Sequence, residues 1–147
     1  MMNYVLMDFG HYLGLAGLFT GLTMELILFA PRVGGATARK LAIADAIYGL
    51  AALLILVTGL LRLFAGDKPA AYYGHNFVFH IKVTLFVVVA LMSIFPTIKF
   101  FGGRKAAAGS EVEYPAAVGV LLKIEFALLL VIPLLAVMMS RGYGFSG

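Results

Sequence analysis

A chain of 147 residues that is 63% hydrophobic and 12% charged, with a mean hydropathy of +1.03, lies far from soluble domains, which are about 45 to 50% apolar and about 25% charged. A soluble domain of this length exposes too much surface to bury helices that are apolar on every side, so the composition assigns the chain to a membrane. The absence of cysteine excludes disulfides, thiolate metal sites and thiol catalysis, and the net charge of +4 sits beside apolar runs, where topology accounts for it without nucleic acid.

Four apolar runs, at about 4–30, 41–64, 77–101 and 115–140, each reach the roughly 20 residues needed to span about 30 Å of hydrocarbon as a helix. They are too long and too evenly apolar for the strands of a closed barrel. The first run, opening MMNYVLMDFG, has an Asp and no Lys or Arg near its start, so it reads as a retained span and not as a cleavable signal. The connections PRVGGATARK, AGDKPAAYYGHN and GGRKAAAGSEVEY are short and rich in Gly, Pro or polar residues, as turns between neighbouring helices are. Short connections make neighbours antiparallel. The expectation is an all-α, antiparallel four-helix membrane bundle forming a single domain over 1–147.

Arg32, Arg39 and Lys40 flank the first connection and Lys99, Arg104 and Lys105 the third, against Lys68 and Arg141 on the other side. The positive-inside rule then puts the first and third connections in the cytoplasm and both termini outward. Tyr4, Tyr72, Tyr73 and Tyr143 fall at the outer ends, where an interfacial aromatic belt belongs.

On the first span, Gly10, Gly14, Gly17 and Gly21 share an arc roughly 60° wide at about 100° per residue, a face for close helix contact inside the bundle or, if it is left free, for a homodimer. Asp45, Gly49, Ala52, Leu56 and Gly59 form the corresponding inward face of the second span. Pro96 and Pro133 lie inside the third and fourth spans, where each removes a backbone hydrogen bond.

Ionisable groups in hydrocarbon cost several kcal/mol unless protein solvates them or they snorkel to the surface. Depth sorts them into two layers. The outer layer holds Asp8 and His11, Arg62, and the group His75, Asn76, His80 and Lys82. Asp8 and His11 lie three residues and about 60° apart, so both can address the interior. His80 and Lys82 point nearly opposite ways. The expected arrangement turns His80 inward and lets Lys82 snorkel. His11 and His80 then suit the axial positions of a haem, with Arg62 beside a propionate; alternatively each histidine simply bonds Asp8, a tyrosine or a carbonyl. The inner layer holds Glu25, Asp45 with Tyr48, and the pair Lys123 and Glu125. Two residues apart, Lys123 and Glu125 cannot neutralise each other. Lys123 is expected to pair with Asp45 or Glu25, leaving a carboxylate that stays protonated or serves as a proton or cation site.

Several motifs carry a resemblance: HYLG from His11, DAIYGLA from Asp45, YGHN from Tyr73 and KIE from Lys123. With them the chain resembles, over nearly its whole length, a group of uncharacterised bacterial four-span membrane proteins, DUF2214-like, which brings no assigned activity. More distantly it is similar to HemJ-type protoporphyrinogen oxidases and CopD-like membrane proteins, through His11 with Pro31-Arg32 and the opening His80-Ile81-Lys82-Val83. That resemblance implies haem b or porphyrin binding, with His11, His80 and Lys82 as site candidates. The leading expectation is therefore a haem-binding redox or electron-transfer protein of the bacterial inner membrane, working with a membrane redox partner. The alternative is a non-enzymatic membrane subunit or small transporter whose charges form structural pairs or a proton relay.

Overall fold

The computed structural model describes residues 2–66 and 68–145. In chain order, helix α1 (Met2–Leu28) is followed by strand β1 (Arg32–Gly34), helix α2 (Gly35–Ala65), the short helix α3 (Ala70–Gly74), helix α4 (Phe77–Gly103), strand β2 (Glu111–Glu113) and helix α5 (Ala116–Ser140). Helices α1, α2, α4 and α5 are each long and apolar enough to cross a bilayer, and the chain is an integral membrane protein of the all-α class. Continuous helices pair their backbone groups within the span, Pro96 and Pro133 excepted, as hydrocarbon demands. Helix α2 begins well before the expected start at Leu41. Its 31 residues reach about 46 Å, longer than the apolar layer, so the turn bearing Arg39 and Lys40 stands outside it. Helices α4 and α5 run unbroken through Pro96 and Pro133.

The helices form a ring in which α1 packs on α2 and α5, and α4 packs on the same two neighbours. The tightest contact is between α1 and α2, and glycine makes it. Gly10, Gly14, Gly17 and Gly21 lie against Thr58, Ile55, Ala51 and Tyr48. At Gly21 a Cβ would stand 2.8 Å from the Tyr48 backbone nitrogen and 2.9 Å from its Cα, so only glycine permits this approach. Of the two uses expected for the glycine face, the contact with α2 consumes it inside the bundle. The inward face of α2 also differs from expectation. Its buried stripe runs through Leu41, Ala44, Asp45, Tyr48, Ala51 and Thr58, while Gly49 and Leu56 are exposed. Tyr48 and Thr58 turn the helix this way because their hydroxyls need partners that lipid does not offer.

At the basic end, β1 pairs antiparallel with β2 in the register Arg32 to Glu113, Val33 to Val112 and Gly34 to Glu111. Arg32 Nε donates to Glu113 Oε1 at 2.9 Å, and the ribbon continues through Tyr114 N to Pro31 O and Gly35 N to Ser110 O, both 2.8 Å. Tyr114 folds under it, its ring edge-on to Phe100 with centroids 5.4 Å apart, and burial pushes its phenol up from the ordinary value. The ribbon holds the two basic connections on one side, as their charge requires.

At the tyrosine-rich end, fully buried Asn76 caps α4 by accepting from Phe79 N at 3.2 Å and donates to Tyr143 O at 3.2 Å. Phe77 N donates to Gly144 O at 3.0 Å. The chain reaches this contact through Gly142 and Gly144, whose φ values of 86° and 83° favour glycine. Tyr73 is buried here and not at a lipid interface.

Overpacking a tight contact costs about 1 to 3 kcal/mol. Gly21→Ala is therefore expected to lower the thermal unfolding midpoint in detergent clearly, whereas Gly49→Ala, with nothing within 4 Å of its new Cβ, is expected to keep or raise it.

Candidate functional site

Every spanning helix delivers a polar side chain to one layer of the bundle, nearer the basic end. Glu25 lies on the last turn of α1, three residues from its end at Leu28. Asp45 and Tyr48, three residues apart, share the buried stripe of α2. Thr97 comes from α4 and Glu125 from α5. Glu25 and Glu125 are each 1% exposed and Asp45 8%. Thr97 Oγ1 donates to Asp45 Oδ1 at 2.7 Å, and Tyr48 OH donates to Glu125 Oε2 at 3.3 Å. Glu25 is within electrostatic reach of both Asp45 and Glu125. Oε1 of Glu25 and Oε1 of Glu125 are buried without a hydrogen-bond partner.

No cation among the described residues pairs with these three acids. Among the described residues the ion pairs are those of Arg32 with Glu111 and Glu113 and of Arg62 with Asp8. Lys123 does not pair with Asp45 or Glu25; it is exposed on α5, while Glu125 two residues later is buried. The long stem of Lys123 lets its ammonium reach the membrane boundary, an option the short carboxylates lack. An unpaired charge in this setting costs several kcal/mol. Among the described residues no group of three or more His, Asp or Glu side chains is arranged to hold a metal ion.

The outer layer is built differently. Arg62 Nε and Asp8 Oδ1 pair at 3.1 Å, both open to the surroundings. His11 Nδ1 lies 2.9 Å from Thr58 Oγ1. The Thr58 hydroxyl gives its hydrogen to Leu54 O at 2.6 Å, so it accepts from His11 and leaves Nε2 with a free lone pair. Lys82 and His80 exchange the orientations expected of them. Lys82 is half-buried within electrostatic reach of Arg62 and His11, and His80 is exposed with Nε2 on Gly74 O at 3.0 Å. The end of α3 supplies the carbonyl that draws His80 outward, and Lys82, two residues on, then faces in. His11 and His80 therefore do not address one space as a pair of axial ligands. Of these two histidines, His11 alone is half-buried, within electrostatic reach of Arg62 and Lys82. His75 is exposed, its Nδ1 on Ala71 O at 3.0 Å.

Attention to charged residues misses Thr58 and Thr97, yet both carry the geometry. The available signal is a hydroxyl inside an apolar span, which in lipid needs a partner on its own or a neighbouring helix.

Residues in contact couple energetically and distant ones add. A double-mutant cycle of Asp45→Asn with Thr97→Val, read from unfolding midpoints, is expected to give a coupling of about 1 kcal/mol or more, as for a buried charged hydrogen bond. The same cycle of Asp45→Asn with Lys123→Ala is expected to give a coupling within about 0.5 kcal/mol of zero.

No curated protein and no solved structure matches the chain. A family model described as a predicted membrane protein, DUF2214, matches residues 3–144; this four-helix membrane chain thus belongs to the DUF2214 family.

Proposed function

We propose that this protein handles protons within the membrane, as a small proton-coupled transporter or a relay subunit, with Glu25 and Glu125 as the groups that load and release. One observation carries the reading: two glutamates on the adjacent helices α1 and α5 are each 1% exposed, each with an oxygen that has no hydrogen-bond partner and with no paired cation among the described residues. Two such acids in low dielectric cannot both be ionised, so they hold at least one proton between them. The Tyr48 hydroxyl gives Glu125 a hydrogen-bonding neighbour, and the Thr97 hydroxyl does the same for the third acid, Asp45. In a bacterial plasma membrane oriented by the positive-inside rule, the site lies nearer the cytoplasmic boundary, and Glu25, on the last turn of α1, is the acid closest to it.

Infrared spectra of the protein in lipid are expected to contain the carbonyl stretch of protonated carboxylic acids, diminished in Glu25→Gln and in Glu125→Gln. In vesicles with an imposed pH gradient, either variant is expected to reduce proton flux to that of protein-free vesicles. Wild-type acids found wholly ionised, or variants that conduct like wild type, overturn the reading.

His11 supports a second reading, a b-type haem or porphyrin at the tyrosine-rich end that exchanges electrons with a membrane redox partner or a second copy of the chain. The Nε2 of His11 would offer the ligand, and Arg62 and Lys82, within electrostatic reach of it, would hold the propionates; the haem would supply one-electron chemistry. A reducible Soret band that vanishes in His11→Ala and persists in His80→Ala is the expected result. A folded, colourless protein purified from haem-replete cells overturns it.

A further inference from the structure

The proton site comes in two hydrogen-bonded halves, Asp45 with Thr97 and Glu125 with Tyr48. No direct hydrogen bond among the described residues joins them. The two hydroxyl partners, Thr97 and Tyr48, both line one cavity of about 60 Å³, together with Ser93 and apolar walls from Leu18, Val89 and Leu129. A benzene-sized ring needs about 150 Å³, whereas a water needs as little as 10 to 15 Å³ provided it has two to four polar partners. The cavity is therefore of a size for a few waters and too small for an aromatic ligand.

The chemistry of the lining narrows the occupant further. Thr97 gives its hydroxyl hydrogen to Asp45, Tyr48 gives its own to Glu125, and Ser93 gives its own to Ala90 O at 2.8 Å. Towards the cavity all three hydroxyls can only accept. An occupant must bring at least two hydrogens and little bulk, which is a description of water. Resting on the reading of the acids as a proton site, we infer that water held in this cavity joins its two halves and lets Asp45 and Glu125 exchange a proton. When Asp45 carries the proton and Glu125 is bare, hydrogens shift from the Asp45 carboxyl to the Thr97 oxygen, from Thr97 to water, from water to the Tyr48 oxygen, and from Tyr48 to Glu125 Oε2. Each hydroxyl and each water gives one hydrogen and receives one; Asp45 loses a proton and Glu125 gains it. Thr97 turns its hydroxyl from Asp45 towards the cavity as this happens.

Gly49 makes the idea testable, because it lines the cavity and nothing lies within 4 Å of a Cβ built on it. Gly49→Leu adds a side chain to the α2 wall of the cavity, and Ala90→Leu adds one to the α4 wall. The probe is hydrogen–deuterium exchange of the protonated carboxyl bands in infrared spectra of the full chain in lipid, with bands assigned by Asp45→Asn and Glu125→Gln. In wild type the two acids are expected to exchange at matching rates. In either filled variant, and in Thr97→Val, both bands are expected to persist while one acid exchanges about tenfold or more slowly than the other, the loss of a bridging water being a barrier of that order. Matching rates in filled variants that keep their protonated bands overturn the water link and leave the proton site standing. Absence of protonated bands in wild type overturns the proton site, and the link with it.

Discussion

Gly21 against the backbone of Tyr48 is the contact on which the interior depends. A missing side chain on α1 lets α2 approach until a Cβ would stand 2.8 Å from the Tyr48 nitrogen. Membrane helices gain little hydrophobic energy by association, so such close backbone packing is a main source of their cohesion. The contact also sets direction. With α1 seated on this side of α2, the Tyr48 phenol extends across the bundle to Glu125 on α5, and Glu25, one turn beyond Gly21, falls on the same buried face of α1. Structural packing and the placement of the acids are thus one feature.

The two layers of polar groups follow different rules because they sit at different depths. Near the tyrosine-rich end, Asp8, Arg62 and His80 remain partly open and settle with local partners: a neighbouring helix for the ion pair, a carbonyl six residues back for the histidine. Deeper in, Glu25, Asp45 and Glu125 are buried with no cation paired to them among the described residues, and hydroxyl side chains bond Asp45 and Glu125. Such an arrangement is costly for fixed charge and well suited to a mobile proton.

Periodicity and hydropathy made the four spans, their antiparallel order and the glycine stripe legible before any coordinates, because lipid imposes those features on any sequence. The inner acids were legible too, since a short carboxylate in an apolar run has few alternatives to an interior position. What could not be read was the choice between two inward rotations of a helix. On α2, Asp45 is common to both candidate faces, and only packing against the glycines selects Tyr48 over Gly49. On α4, His80 and Lys82 differ by 200° of helix turn, and the deciding partner is the carbonyl of Gly74, at the end of a short helix whose presence the loop composition did not announce. Lys123 illustrates the same difficulty, because a long side chain reconciles an apolar position with a charge in a way that spacing does not reveal. The three-residue strands of the basic end fall below the length at which alternation carries a signal.

That small ribbon has a consequence for how the chain is assembled. Its backbone hydrogen bonds join the linker of one helical hairpin to the linker of the other, and they can close only when both linkers emerge on the same side of the bilayer. Hairpins inserted in opposing orientations would leave Arg32 and Glu113 separated by the whole thickness of the lipid. The fold thus contains its own check on biogenesis: the second hairpin must thread the membrane in the sense already set by the first.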